Sequence, residues 1–387
     1  MGRPGAVQFL VHRSILIIAI SSFSLSVLRI KRPAMLVANR TPPPQSFRFP
    51  KRCANMARIA YILSVLASLL PIALAASSGC GTTLAPNLRP GTSTHNVTIS
   101  SRSVIGKTTT REYILYLPKG YAASNDKAAP LVFAFHGQQQ PAWSMEKITQ
   151  LSDPAFNPDA VVVYPQGMNV QPPGVQFLGD PMAPTSNVID DRVFVDEILT
   201  NLTSTLCIDE KKVYATGISN GGSLVGLLMC DSALNKAFAA FATVGGAFYP
   251  DTSLKEPLFQ KDCRPDLNED QVLPYMNLHG LNDTVVPYDG HNNPPFIPVM
   301  DWVETWVKNS KCTHKPYVET AEKGTVIQKK WACKAKRDVI VHRAIEHFGH
   351  GWPSVKNQGE PFETLRGGPT TWNATTFMLK WFEKWGS

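Results

Sequence analysis

A serine held between glycines is where chemistry can begin in this chain. The stretch Lys212-Val213-Tyr214-Ala215-Thr216-Gly217-Ile218-Ser219-Asn220-Gly221-Gly222 runs from β-branched and aromatic residues into Gly-x-Ser-x-Gly, and residues 223–230 are apolar at a density that suits a helix. Strand, sharp turn with serine at its tip, helix: this order is a nucleophile elbow. The flanking positions must be small for the backbone to bend so tightly, which Gly217 and Gly221 satisfy. The following helix points its first amides at the reacting oxygen.

A serine hydroxyl is a weak nucleophile near pH 7. It needs a base, a group that orients the base, and donors for the oxyanion. The order Ser, acid, His along the chain fits such an elbow. In Leu278-His279-Gly280-Leu281-Asn282-Asp283, Asp283 stands just past a buried strand and is the candidate acid, with Asp289 the alternative. In Glu346-His347-Phe348-Gly349-His350-Gly351-Trp352-Pro353, His350 lies between glycines and is the candidate base, with His347 the alternative. His136 and His279 each precede a glycine at a strand end and read as hydrogen-bonded turn residues. The oxyanion donors are expected to be main-chain amides, those of Asn220 and Gln138.

These residues need a scaffold. Residues 130–135, 160–164, 239–244 and 273–278 are apolar runs of strand length, the pattern of strands buried on both faces. Residues 95–104 and 111–117 read as an antiparallel edge pair, and 325–332 and 339–345 as further strands. Helical spacing is expected near 145–151, from Asp190-Asp191 to residue 206, over 298–307 with Trp302 and Trp306 one turn apart, and over 371–385. Residues 168–189 lack periodicity and are expected to help wall a substrate cleft. Strands alternating with helices predict an α/β protein with a mostly parallel central sheet covered on both faces, and the elbow makes it the α/β-hydrolase fold.

Charge and cysteines set the context. Of the 38 Lys and Arg, 10 lie in residues 1–75, which hold none of the 30 Asp and Glu; the remainder carries 28 against 30, formally −2. That is no nucleic-acid footprint. Residues 56–75 form a secretion signal: Met56-Ala57-Arg58, an apolar run, then Ala73-Leu74-Ala75 as cleavage site, so the mature chain is expected to begin near Ala76. Residues 1–55 read as an extension upstream of the true start at Met56, and 76–387 as a single catalytic domain. Six of the seven cysteines follow the signal, and an even count in an exported protein suggests three disulfides. Cys312–Cys333 closes a short loop; Cys207–Cys230 is geometrically possible; Cys80–Cys263 follows by elimination. Asn96, Asn201 and Asn373 begin glycosylation sequons, and Asn282 begins a fourth, expected near the site. No cysteine–histidine spacing suggests a metal, and the chemistry above requires no cofactor.

The elbow, the preceding Cys207-Ile-Asp-Glu-Lys-Lys-Val-Tyr-Ala-Thr216, the Leu-His-Gly-x-x-Asp-x-x-Val-Pro stretch and Gly-His-x-Trp-Pro resemble secreted fungal feruloyl esterases of carbohydrate esterase family 1, and the related acetylxylan esterases and polyhydroxybutyrate-depolymerase-like enzymes. Ser77-Ser-Gly-Cys80-Gly and Leu228-Met-Cys230-Asp resemble the feruloyl group called type D. The resemblance covers most of residues 80–387. It implies a triad of Ser219, Asp283 and His350 and hydrolysis of hydroxycinnamoyl esters of arabinoxylan, with acetyl or polyhydroxyalkanoate esters as alternatives. A hydrolase fold kept as a non-catalytic binding module is the reading of another class. An aromatic acyl group calls for an apolar slot, for which Phe177, Met182 and Trp352 are candidates. The expected protein is an extracellular monomer acting on a cell-wall polysaccharide ester, with no nucleic acid partner and no lasting membrane association.

Overall fold

The structure is a computed structural model and describes residues 76–123, 127–170, 174–293 and 295–386. The expected extension, signal and cleavage site lie outside the described residues.

The strands are β1 (Thr92–Ser101), β2 (Thr109–Leu117), β3 (Ala129–Phe135), β4 (Val161–Pro165), β5 (Met168–Val170), β6 (Gly174–Gln176), β7 (Ile208–Ile218), β8 (Ala240–Val244), β9 (Tyr275–Gly280), β10 (His291–Asn292), β11 (Pro295–Phe296), β12 (Tyr317–Ala321), β13 (Val326–Cys333) and β14 (Lys336–Ile345). Ten of them form one sheet in the order β1-β2-β4-β3-β7-β8-β9-β14-β13-β12, and β5–β6 and β10–β11 form two small pairs. The six central strands, β4 to β14 in that order, are parallel, and both margins are antiparallel. This is the mostly parallel sheet expected of the α/β-hydrolase fold.

The helices are α1 (Ala142–Thr149), α2 (Asp191–Thr205), α3 (Asn220–Cys230), α4 (Val299–Asn309), α5 (Phe362–Arg366) and α6 (Ala374–Phe382). Alternation along the strands sends side chains to two cores. Leu131, Phe133 and Phe135 join Phe194, Ile198, Leu224 and the buried Trp302 and Trp306 on the face of α2, α3 and α4. Val132 and Ala134 join Met145, Ile148, Met378 and Trp381 on the face of α1 and α6.

Register decides where the site forms. Phe135 pairs with Gly217, Ile218 with Val244, Val244 with Leu278, and Gly280 with Ile345. Five strands therefore finish at one level, and the loops after them share one edge of the sheet. β4 and β7 lie on opposite sides of β3, so the chain reverses its direction of travel across the sheet there. A crevice at the carboxyl ends of such a switch point is where open α/β sheets bind ligands.

Two disulfide pairings differ from expectation. Cys312–Cys333 forms as the short loop suggested, but Cys80 bonds Cys207 and Cys230 bonds Cys263. The reason lies in the backbone on either side. Ser77 exchanges bonds with the root of β7, its N–H to Ile208 O (2.8 Å) and its Oγ to Leu206 O (2.7 Å), which sets Cys80 beside Cys207. Arg264 N–H donates to Cys230 O (3.0 Å), which brings in Cys263. Sequence spacing carries no information about either neighbour.

The Asp190-Asp191 pair divides its work. Asp190 caps α2, accepting from Arg192 N–H. Asp191 is buried and binds Arg111 (2.8 Å) and the amide of Leu178 (2.8 Å). Among the sequons, Asn96, Asn201 and Asn282 are exposed. Asn373 is buried as the cap of α6, its Nδ2 donating to Gln150 Oε1 (2.9 Å), so a glycan there would displace a structural hydrogen bond.

Candidate active site

Ser219 sits between β7 and α3 with φ 55° and ψ −123°. A non-glycine residue in such a conformation is strained, and the surrounding contacts must hold it. They are close. A Cβ on Gly217 would lie 2.3 Å from Gly221 O, and one on Gly221 would lie 2.3 Å from Phe135 O. Ala247 N–H donates to Ser219 O (3.1 Å) and Ser219 N–H to Val244 O (3.2 Å), fastening the turn to the end of β8.

Asp283 follows β9 and is buried. Its Oδ1 accepts from the amides of Val285 (2.9 Å) and Val286 (2.8 Å), and its Oδ2 faces His350 Nδ1 at 2.7 Å. With Nδ1–H donating to the carboxylate, Nε2 is left as the basic nitrogen. Burial by itself would raise the Asp283 pKa, but the hydrogen bonds and charges of His279 and His350 outweigh it and hold the carboxyl well below the usual range. The two alternatives stand apart from this pair: Asp289 and His347 are both exposed.

The histidine loop is held from behind by α5. His350 N–H donates to Leu365 O (2.8 Å) and Gly349 N–H to Arg366 O (2.9 Å). Arg366 is itself buried, bound to Ser354 O (2.9 Å), Lys356 O (2.8 Å) and Glu363 (2.6 Å). The Asp283 loop is pinned at its far end. Tyr288 Oη donates to His342 Nε2 (2.7 Å), and His342 Nδ1–H donates to Asn277 Oδ1 (2.9 Å). Burial drives His342 down to about 3, so it stays neutral.

The two turn histidines behave differently. His136 is a structural hinge: Nδ1–H donates to Gly137 O (2.8 Å), Nε2 accepts from Gly167 N–H (2.9 Å), and burial lowers its pKa to about 4. His279 also closes a turn, donating Nε2–H to Val286 O (2.8 Å), but the same nitrogen lies 3.3 Å from Asp283 Oδ2. Asp283 thus faces two imidazoles, which sequence reasoning missed. The His-Gly-x-x-Asp spacing was the available signal, since it returns residue i+4 to the ring.

Ser219 and His350 line one cavity of about 160 Å³ together with Gly137, Gln138, Ser144, Ile218, Val285, Trp352, Phe362 and Leu365. The Ser219 hydroxyl makes no hydrogen bond among the described residues. Catalytic contacts of this kind commonly tighten only once a substrate is bound. The amides of Gln138 and Asn220 have no acceptor among the described residues. The Asn220 side chain is occupied elsewhere, clamping the backbone of Phe177 through Oδ1 (2.8 Å) and Nδ2 (3.1 Å).

Two of the expected slot residues lie off the cavity. Phe177 is turned into the core, edge-on to Phe135 and against His136, and does not line the cavity. Met182 is 53% exposed and also lies off the lining. Of the three apolar candidates Trp352 lines the cavity, with Nε1–H donating to Thr375 Oγ1 (3.0 Å). The 168–189 segment does not wall the cavity among the described residues. It buttresses the loop after β3 instead, through Gln139 N–H to Val175 O (2.7 Å) and Gln138 Nε2 to Gln176 Oε1 (3.0 Å).

A parallel sheet, an elbow serine and a buried Asp–His pair at its carboxyl edge are the features of an α/β-hydrolase, and the chain has that fold. An acetyl xylan esterase from Aspergillus awamori has a similar fold, at TM-score 0.51 and 13% identity over 70% of this chain and 94% of that one. No family model matches. In sequence the chain is similar to feruloyl esterases. It is 29% identical to feruloyl esterase B of Piromyces equi over 54% of this chain and 37% of that protein. It is 28% identical to a probable feruloyl esterase C of Aspergillus terreus over 64% and 74%. It is 32% identical to feruloyl esterase D of Neurospora crassa over 48% and 60%. The chain thus spans 37% of the length of the first of these and 60% of the last. Among the described residues no helix is long and apolar enough to cross a membrane.

Proposed function

We propose that this chain is an exported serine esterase that releases feruloyl and related hydroxycinnamoyl groups from plant cell-wall arabinoxylan. The observation that carries the reading is the 2.7 Å contact of buried Asp283 with His350, which lines one cavity with the strained Ser219. The similarity to feruloyl esterases supports the acyl group, and three disulfides support export.

His350 Nε2 takes the Ser219 proton as Oγ bonds to the ester carbonyl carbon. The carbonyl oxygen becomes an oxyanion facing the free amides of Gln138 and Asn220. Asp283 steadies the imidazolium. Collapse breaks the bond to the sugar oxygen, which leaves with the proton from His350. Water then repeats the sequence on the acyl-enzyme and frees the acid and Ser219.

The test is a panel of methyl ferulate, acetylated xylan and short polyhydroxyalkanoates, with a serine-reactive phosphonate to tag the nucleophile. Release of ferulate and labelling at Ser219, both lost in Ser219→Ala, are expected. Turnover of the acetyl or polyester substrates without any hydroxycinnamate would move the protein to another acyl group. Undiminished turnover in Ser219→Ala would end the mechanism, and no turnover on the whole panel would leave a binding module.

A further inference from the structure

Tryptophan is costly to leave in water, and this chain hides nearly all of it. Among the described residues, which include all eight tryptophans, Trp143 alone stands exposed, at 53%. It lies on the first turn of α1, between Gln140 and Ser144, both of which line the catalytic cavity. Its helical neighbour one turn on, Lys147, reaches across to Gly359, where its Nζ would stand 2.9 Å from a Cβ. Gly359 leads into α5, whose Phe362 and Leu365 line the opposite wall. The stripe bearing Trp143 therefore runs beside the α1 wall of the cavity and, at Lys147, meets the segment that leads into α5.

The cavity mouth exposes further apolar surface: Val285 is 42% and Leu365 39% exposed, and both line the cavity. A single exposed apolar side chain needs no explanation, but a cluster continuous with a binding cavity marks a contact surface. The cavity of about 160 Å³ has room for little beyond the acyl group, so the rest of a polymeric ester must lie outside it. We propose that Trp143 is the platform on which a sugar of the ester-bearing polysaccharide stacks at the cavity mouth. The C–H face of a pentose is apolar and its edges are polar, so an indole that offers a flat face while remaining half in water suits it. The occupant is the arabinoxylan chain of the proposed substrate, and the inference rests on that reading.

The experiment compares feruloylated arabinoxylan oligosaccharide with methyl ferulate, using wild type, Trp143→Ala and Trp143→Tyr. The ratio of kcat/KM on the oligosaccharide to that on methyl ferulate is expected to fall about two- to tenfold in Trp143→Ala, through KM, and to recover in Trp143→Tyr. Binding of the corresponding arabinoxylan oligosaccharide without its feruloyl group to Ser219→Ala is expected to quench tryptophan fluorescence, and the added Trp143→Ala change to remove the quench. A ratio unchanged in Trp143→Ala, with wild type active on both esters, overturns the platform and leaves the esterase standing. Wild type inactive on both esters, with no quench in Ser219→Ala, overturns both.

Discussion

Asp283 faces two imidazoles, and in the proposed mechanism the pair divides positioning from proton transfer. In the proposed mechanism His350 receives the serine proton; the Nε2 of His279 lies 3.3 Å from the same carboxylate oxygen and braces it. Asp283→Asn reverses the donor at His350 and should cut kcat by about 10⁴-fold with little change in KM. His279→Phe keeps an aromatic ring but loses both the bond to Val286 O and the contact with Asp283, and roughly a tenfold loss in kcat is expected. Steady-state kinetics on methyl ferulate checks both. Stability should follow the lowered Asp283 pKa. A carboxyl depressed by folding contributes fully above its unfolded pKa, about 3.9, and loses that contribution as pH falls through the folded value. Urea denaturation of wild type and Asp283→Asn should therefore show a gap at pH 5–7 that narrows toward pH 2.

Loops of the site are fastened by elements whose sequences carry no sign of the task. Arg111 binds Asp191 at 2.8 Å, both buried, and also Ser103 and the carbonyl of Gln166. Arg111→Ala strands a buried carboxylate and should cost about 3–5 kcal/mol by denaturant titration. Gly221→Ala drives a methyl to 2.3 Å from Phe135 O, so the elbow must open. About 1–3 kcal/mol of stability and most of the activity should go, read from melting and ester turnover. The central strands, the Asp190 cap and the elbow could be read from the chain because each depends on neighbours within a few residues, whereas the cap Asn373 read only as a sequon. The Asn220 clamp could not. It joins residues 43 apart and turns Phe177 inward, whereas apolar composition alone suggested a slot residue. The same limit hid the bracing of the His350 loop by α5, which depends on a buried arginine that looks like any surface charge in the sequence.

At the scale of the molecule, five strand ends at one level make a single working edge, and alternation of side chains makes two cores beneath it. The parallel α/β sheet was legible from apolar strands alternating with periodic helices, and the α/β-hydrolase fold from the serine elbow set between one such strand and helix. Disulfide partners were not, because they follow from how the leading arm lies along β7. Peptide mass mapping should recover Cys80 joined to Cys207 and Cys230 to Cys263, and Cys80→Ser should cost about 2–5 kcal/mol by denaturant titration. In that pattern every half-cystine from Cys80 onward is bonded to the adjacent one along the chain, first with second, third with fourth, fifth with sixth. On the proposed export route, a polypeptide threading amino end first into an oxidising lumen meets each correct thiol as the next to arrive, so oxidation can keep pace with translocation and no bridge has to be broken and remade.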